Sequence, residues 1–115
     1  MSDVESVLVA ALVANHVPDV LISGTVSALT ADFSHSKEVA SLLEQIIVSA
    51  TEKDVVTNLM LEVKMVPTLP PGLLALFGWL MTPEVTPVQF EEVLNAVEVA
   101  IVGNESWFVK VNPFA

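Results

Sequence analysis

Cysteine and arginine are both missing from this chain, and its only basic side chains besides 2 histidines are 4 lysines, set against 14 acidic residues. Without cysteine there is no disulfide framework, no thiolate zinc site and no cysteine nucleophile. Without arginine there is no bidentate grip on phosphate, and a formal net charge of -10 repels a polyanion. A nucleic-acid partner is therefore not expected. Long apolar runs are missing too. Residues 7–14 and 73–81 are the clearest, and both fall well short of the roughly 20 residues that span a bilayer. An acidic surface is also repelled by anionic lipid, so no membrane partner is expected. The opening residues Met1, Ser2, Asp3, Val4 and Glu5 lack the basic start of a secretory signal. The expected location is the cytoplasm, or an assembly formed there. Asn104-Glu105-Ser106 matches a glycosylation pattern that has no meaning without a secretory route.

Charge of either sign is sparse, at 16% of residues, while hydrophobic residues reach 53%. Ordinary domains carry about 25% charged residues. The apolar surplus is on the order of 10 residues, enough to cover about 800 Å², one side of a standard interface. A length of 115 residues fits one domain, which on size scaling buries roughly 65% of its unfolded surface. The composition thus points to association with other protein surfaces; the alternative is a monomer with a greasy surface held in solution by its charge.

Capping and stop signals divide the chain into short helices. Ser2 with Glu5 is a capping box, opening a helix to about Asn15. Val4, Leu8, Ala11 and Leu12 make one face of it, and Val7, Val9 and Val13 leave the other apolar as well, so the domain or a neighbour should cover both. Residues 19–31 fit two readings. Ser23-Gly24 between Val20, Leu21, Ile22 and Thr25, Val26 suits a hairpin, while Pro18 followed by Asp19 suits a helix start. The helical neighbours favour the helix. Val39, Leu42, Leu43, Ile46, Ile47 and Ala50 keep helical spacing. Thr51 and Asp54 form another capping box, for a helix to about Val66 with Val55, Val56, Leu59 and Val63 on its apolar face. Pro71 opens a short apolar helix to Met81. Thr86, Pro87 and Gln89 are cap, first residue and capping-box partner of the last helix. Phe90, Val93, Leu94, Val97 and Ile101 line that helix, and Gly103 is the expected C-terminal cap. Beyond it Trp107, Val109 and Val111 alternate with Phe108 and Lys110 in a strand-like period. The expected fold is all-α: a bundle of five or six short helices over residues 1–105, with an extended β-like arm over 106–115. Leu42, Leu43, Ile46, Val93, Leu94 and Val97 should share one core.

Catalytic signals are poor. His35 precedes Glu38 and His16 precedes Asp19, each three residues on, which places an imidazole and a carboxylate on one helix face. The di-metal bundle pattern runs Glu-x-x-His, in the opposite order, so no metal site is expected. The serines, the two histidines and Asp32 contain the members of a hydrolytic triad, but no Gly-x-Ser-x-Gly elbow accompanies them. There is no glycine-rich phosphate loop, dinucleotide fingerprint or calcium loop. Glu91 and Glu98 share a helix face and read as a solvated stripe, whereas the adjacent Glu91 and Glu92 diverge. Met60, Met65, Met81, Phe77, Trp79 and Phe90 read as ordinary core, with an apolar ligand pocket as the alternative. The expectation is a non-enzymatic assembly or adaptor module without cofactor. It would bind itself as a homo-oligomer or join other protein subunits, for example in a phage or virus particle. The candidate contact residues are Trp107, Phe108, Val109, Val111 and Phe114 of the arm, together with Trp79. Two alternatives are an acidic inhibitor of a basic protein site and a small carrier of an apolar ligand.

Overall fold

Prolines decide where three of the six described helices begin. In the structure, a computed structural model that describes the backbone of residues 2–30 and 35–111 and the side chains of 5–29 and 35–103, the order is α1 (Ser2–Ala14), α2 (Asp19–Thr30), α3 (Ser36–Val48), α4 (Lys53–Lys64), α5 (Pro71–Leu80) and α6 (Pro87–Val111). No strand occurs among the described residues. The carbonyl of Pro18 accepts the Ile22 N–H at 3.0 Å, so α2 starts directly behind it. Pro70 does the same for Leu74 at 3.1 Å, which makes Pro71 the first residue of α5. A proline there loses no helical hydrogen bond, because the first-turn N–H groups have no partner within the helix.

Residues 19–30 are a helix, not a hairpin, and Gly24 lies in its middle. α1 ends in a Schellman motif built on His16, whose φ of 61° is left-handed. The His16 N–H donates to the Val13 carbonyl and the Val17 N–H to the Leu12 carbonyl, both at 3.1 Å. Val17 and Leu12 are both buried, which supplies the hydrophobic contact that accompanies this motif. Two expected caps differ. α4 begins at Lys53 behind Glu52, not at the Thr51–Asp54 box, because residues 49–51 are taken up by the turn that follows α3. Gly103 does not close α6: no described glycine has positive φ, and the helix is bounded at Val111. The arm expected over 106–115 falls on residues whose side chains lie outside the described set. Its backbone up to Val111 is carried in α6.

α6 is the central element, contacting α1, α2 and α3, while α5 packs on α2 and α4, and α3 on α4. Leu43 and Ile46 from α3 and Val93, Leu94 and Val97 from α6 are wholly buried in one cluster, with Leu42 half-buried against it. α4 keeps most of its expected face, with Val63 buried and Val56 and Leu59 half-buried against the core. Met60, Val63 and Val66 are buried, whereas Val55 is exposed. α5 is a core helix, burying Leu73, Leu76, Phe77 and Leu80. Two polar side chains go into the interior, and each back-bonds to the turn before it. Thr25 Oγ1 donates to the Leu21 carbonyl at 2.7 Å and Asn15 Nδ2 to the Ala11 carbonyl at 2.8 Å.

α2 meets α5 backbone to backbone. A Cβ on Gly72 would fall 2.6 Å from the Gly24 carbonyl carbon and 3.2 Å from its Cα, with the carbonyl oxygen closer still. A Cβ on Gly24 would meet only the Gly72 Cα, at an ordinary 3.5 Å.

Two stability predictions follow from this packing. Leu94→Ala should cost roughly 2–5 kcal/mol in urea unfolding, as large-to-small changes in a closed core do; an unchanged midpoint would show that α6 has been oriented wrongly. The glycine pair should be unequal. Gly72→Ala should destabilise by about 1–3 kcal/mol through overpacking. Gly24→Ala should be neutral or gain up to about 1 kcal/mol of helix propensity. Equal melting temperatures for the two variants would contradict the crossing.

Candidate functional site

The histidines are not brought into a metal or catalytic cluster. His16 is exposed at the end of α1. His35 is half-buried ahead of α3, and its Nδ1 lies 3.0 Å from Thr68 Oγ1 in the α4–α5 turn. Thr68 has φ 64°, a left-handed conformation that is unfavourable for a β-branched residue. Hydroxyl and imidazole stand at the spacing of a nucleophile and its base, yet Thr68 lies on an exposed turn, not in a cleft. The contact ties the α4–α5 turn to the start of α3. Asp32, the acid of the triad that the sequence permits, lies outside the described residues. Among the described residues, no three His, Asp or Glu side chains come together as metal ligands. No described helix is long and apolar enough to cross a membrane.

The methionine and aromatic group is divided between inside and outside. Met60 and Phe77 are fully buried, Met65 and Met81 point outward, and Trp79 and Phe90 are half-buried against the core. Trp79, one of the six candidate contact residues, keeps part of its surface open, and its carbonyl accepts the Thr82 hydroxyl at 2.7 Å. The other five, Trp107, Phe108, Val109, Val111 and Phe114, have side chains outside the described set.

The described surface offers two features, the first legible in the sequence and the second not. The first is the outer face of α1. Val7 and Val13 are 61% and 57% exposed, with Ala10 and Ala14 exposed beside them. Leu8 and Leu12 face the core, and among the described residues the second apolar face is covered only in part, with Val9 half-buried and Val7 and Val13 open. The second is a pair of open grooves flanking the end of α3. One, about 390 Å³, is lined by Ile47 of α3 and by Val88, Glu91, Glu92 and Asn95 of α6. The other, about 360 Å³, lies between α3 and α4 and includes Glu44, Val48 and Val55. Val48 is 80% exposed and Val88 64%. Each groove thus sets one open valine beside acidic side chains.

The start of α6, which positions this groove, is held by one side chain. Gln89 Oε1 accepts the Thr86 N–H at 2.9 Å, and the Gln89 N–H donates to Thr86 Oγ1 at 3.1 Å, completing the capping box. Gln89 Nε2 also donates to the Asn15 carbonyl at 2.9 Å, at the end of α1. The capping box was legible from Thr86 and Gln89. The second bond was not, because it depends on α1 and α6 lying side by side.

No family model, no curated protein and no solved structure matches the chain. The class is therefore defined by its own coordinates: a small all-helical bundle.

The double use of Gln89 makes a sharp prediction. Gln89→Glu keeps a favoured capping-box residue but replaces the donor to the Asn15 carbonyl with a second acceptor. It should lower stability by about 0.5–1.5 kcal/mol, the worth of one hydrogen bond. Thermal unfolding of the glutamate variant at or above the wild-type midpoint would show that the α1–α6 bond contributes nothing.

Proposed function

We propose that this protein is a non-enzymatic assembly or adaptor module that works through protein–protein contacts and associates with further copies of itself. The observation that carries the reading is the open face of α1. A charge of -10 on every copy opposes approach at most of the surface. Residues 6–18 contain no Asp, Glu, Lys or Arg, so beyond Asp3 and Glu5 in its first turn the α1 face meets its own copy with little like-charge repulsion. Its alanines at 10 and 14 let another helix come close, and Val7 and Val13 gain by burial. Exposed large hydrophobics elsewhere, among them Val20 on α2 and Met65 after α4, extend the surplus inferred from composition.

The aromatic C-terminal segment, with Trp107, Phe108 and Phe114, is a second contact region on the strength of its sequence pattern alone. Membership of a larger particle, phage or viral, is one setting for such a module. The apolar-carrier alternative gains no support from the two grooves described, which open to solvent instead of enclosing a ligand.

Sedimentation at micromolar concentration should give at least a dimer, and association should strengthen as salt screens the like charges. Ala10→Glu places a charge on the α1 face at an exposed helical position. It should return the chain to a monomer with unchanged helicity and melting temperature. A wild-type monomer at every salt concentration overturns the proposal, and so does an Ala10→Glu variant that still associates while a chain lacking residues 106–115 does not, since that would move the contact to the C-terminal segment.

A further inference from the structure

The α1 face carries no charge beyond its first turn, whereas the groove between α3 and α6 sets Ile47 and Val88 beside the carboxylates of Glu91 and Glu92. Val88, 64% exposed, shares one groove with Ile47, Glu91 and Glu92, and the open Val48 shares the other with Glu44. Among the described residues, no lysine lines either groove. Lys37 belongs to the opposite end of α3, and Lys53 is bracketed by Glu52 and Asp54, leaving that turn net negative. The last turn of α3 carries no basic residue, so its carbonyl end adds partial negative charge between the two grooves. A second copy, lacking arginine and charged -10, is the wrong complement for such a surface. A helix with one or two large apolar side chains flanked by Lys or Arg is the right one.

We infer that the surface where the end of α3 meets the start of α6 docks a basic amphipathic helix of another protein. Its apolar side chains lie over Val88 and Ile47, and its cations lie beside Glu91, Glu92 and the α3 terminus. The inference rests on the reading of this chain as an adaptor but uses a different face, so the two stand or fall separately.

The test is a titration of the full-length, isotope-labelled chain with a Leu/Lys amphipathic peptide of about 18 residues, long enough to be helical, followed by amide chemical shifts. Shifts should concentrate at Ile47, Val48, Val88, Glu91, Glu92 and Asn95. Glu91→Gln/Glu92→Gln should weaken binding about three- to tenfold at low salt, as loss of two rim charges does. Val88→Ser should weaken it as well, and a Leu/Glu peptide of the same length should not bind. Glu62→Gln, an equal kind of charge removal on α4, should leave affinity within about twofold of wild type. Shifts spread over all acidic positions, or an equal loss from Glu62→Gln, would reduce the effect to net charge and overturn the inference. A free chain whose dimer is abolished by Val88→Ser would assign the groove to a second copy and overturn it too. Ala10→Glu should still bind the peptide, so a failure of self-association leaves this result legible.

Discussion

Where α2 crosses α5, Gly24 and Gly72 touch with no side chain between them, and much of the bundle's arrangement depends on that contact. With the two backbones in contact, α5 can sink between α2 and α4, and it is apolar enough to stay there, burying Leu73, Leu76, Phe77 and Leu80. A side chain at Gly72 would lift α5 away from α2 and open the layer beneath it. Because interiors are packed to crystal density, such a shift would be felt across the cluster and not absorbed locally. Pro71 immediately before this glycine fixes the helix start, so the close approach occurs at the stiffest point of α5.

The opposite side of the bundle is joined by polar bonds. Gln89 couples the start of α6 to the end of α1, at a carbonyl that the Schellman motif of α1 leaves available. Both helix ends would otherwise carry backbone groups in need of partners. One side chain with a donor and an acceptor satisfies a group at each end, and in doing so sets how α1 lies along α6. The direction in which Val7 and Val13 face is thus fixed partly by an amide five helices away in the order of the chain.

Helix existence was readable almost throughout, because it is written in local chemistry: proline before α2 and α5, Thr86 with Gln89 before α6, and the spacing of Val39, Leu43 and Ile46 in α3. The misreadings share one cause. Gly103 read as a cap, and Gly24 left a hairpin open beside the favoured helix, since a sequence shows that glycine has no Cβ but not which neighbour needs the space. The Thr51 box was sound locally and lost to the length of the α3–α4 turn. Val55 seemed part of the buried face of α4 and lies at its exposed edge, while Val56, Leu59 and Val63 keep that face and Met60 is core as read. The surplus of apolar residues was legible in the composition, whereas its location on α1 and at the α3–α6 groove depends on which faces the other helices cover.

Charge placement then separates the surfaces by what can meet them. Fourteen acids on 115 residues would make a uniformly acidic protein sticky toward any cation and toward nothing else. Here the segment from 6 to 18 is spared, while α6 brings Glu91 and Glu92 next to an open valine. Exposed valines on an uncharged face reward contact with any apolar surface, including an identical one. Exposed valines inside an acidic rim reward contact only when the incoming surface also supplies positive charge, since carboxylates stripped of water without a cation would cost more than the valines return. The same side chain, valine, is therefore permissive on α1 and selective on α6, and the difference lies in the carboxylates around it.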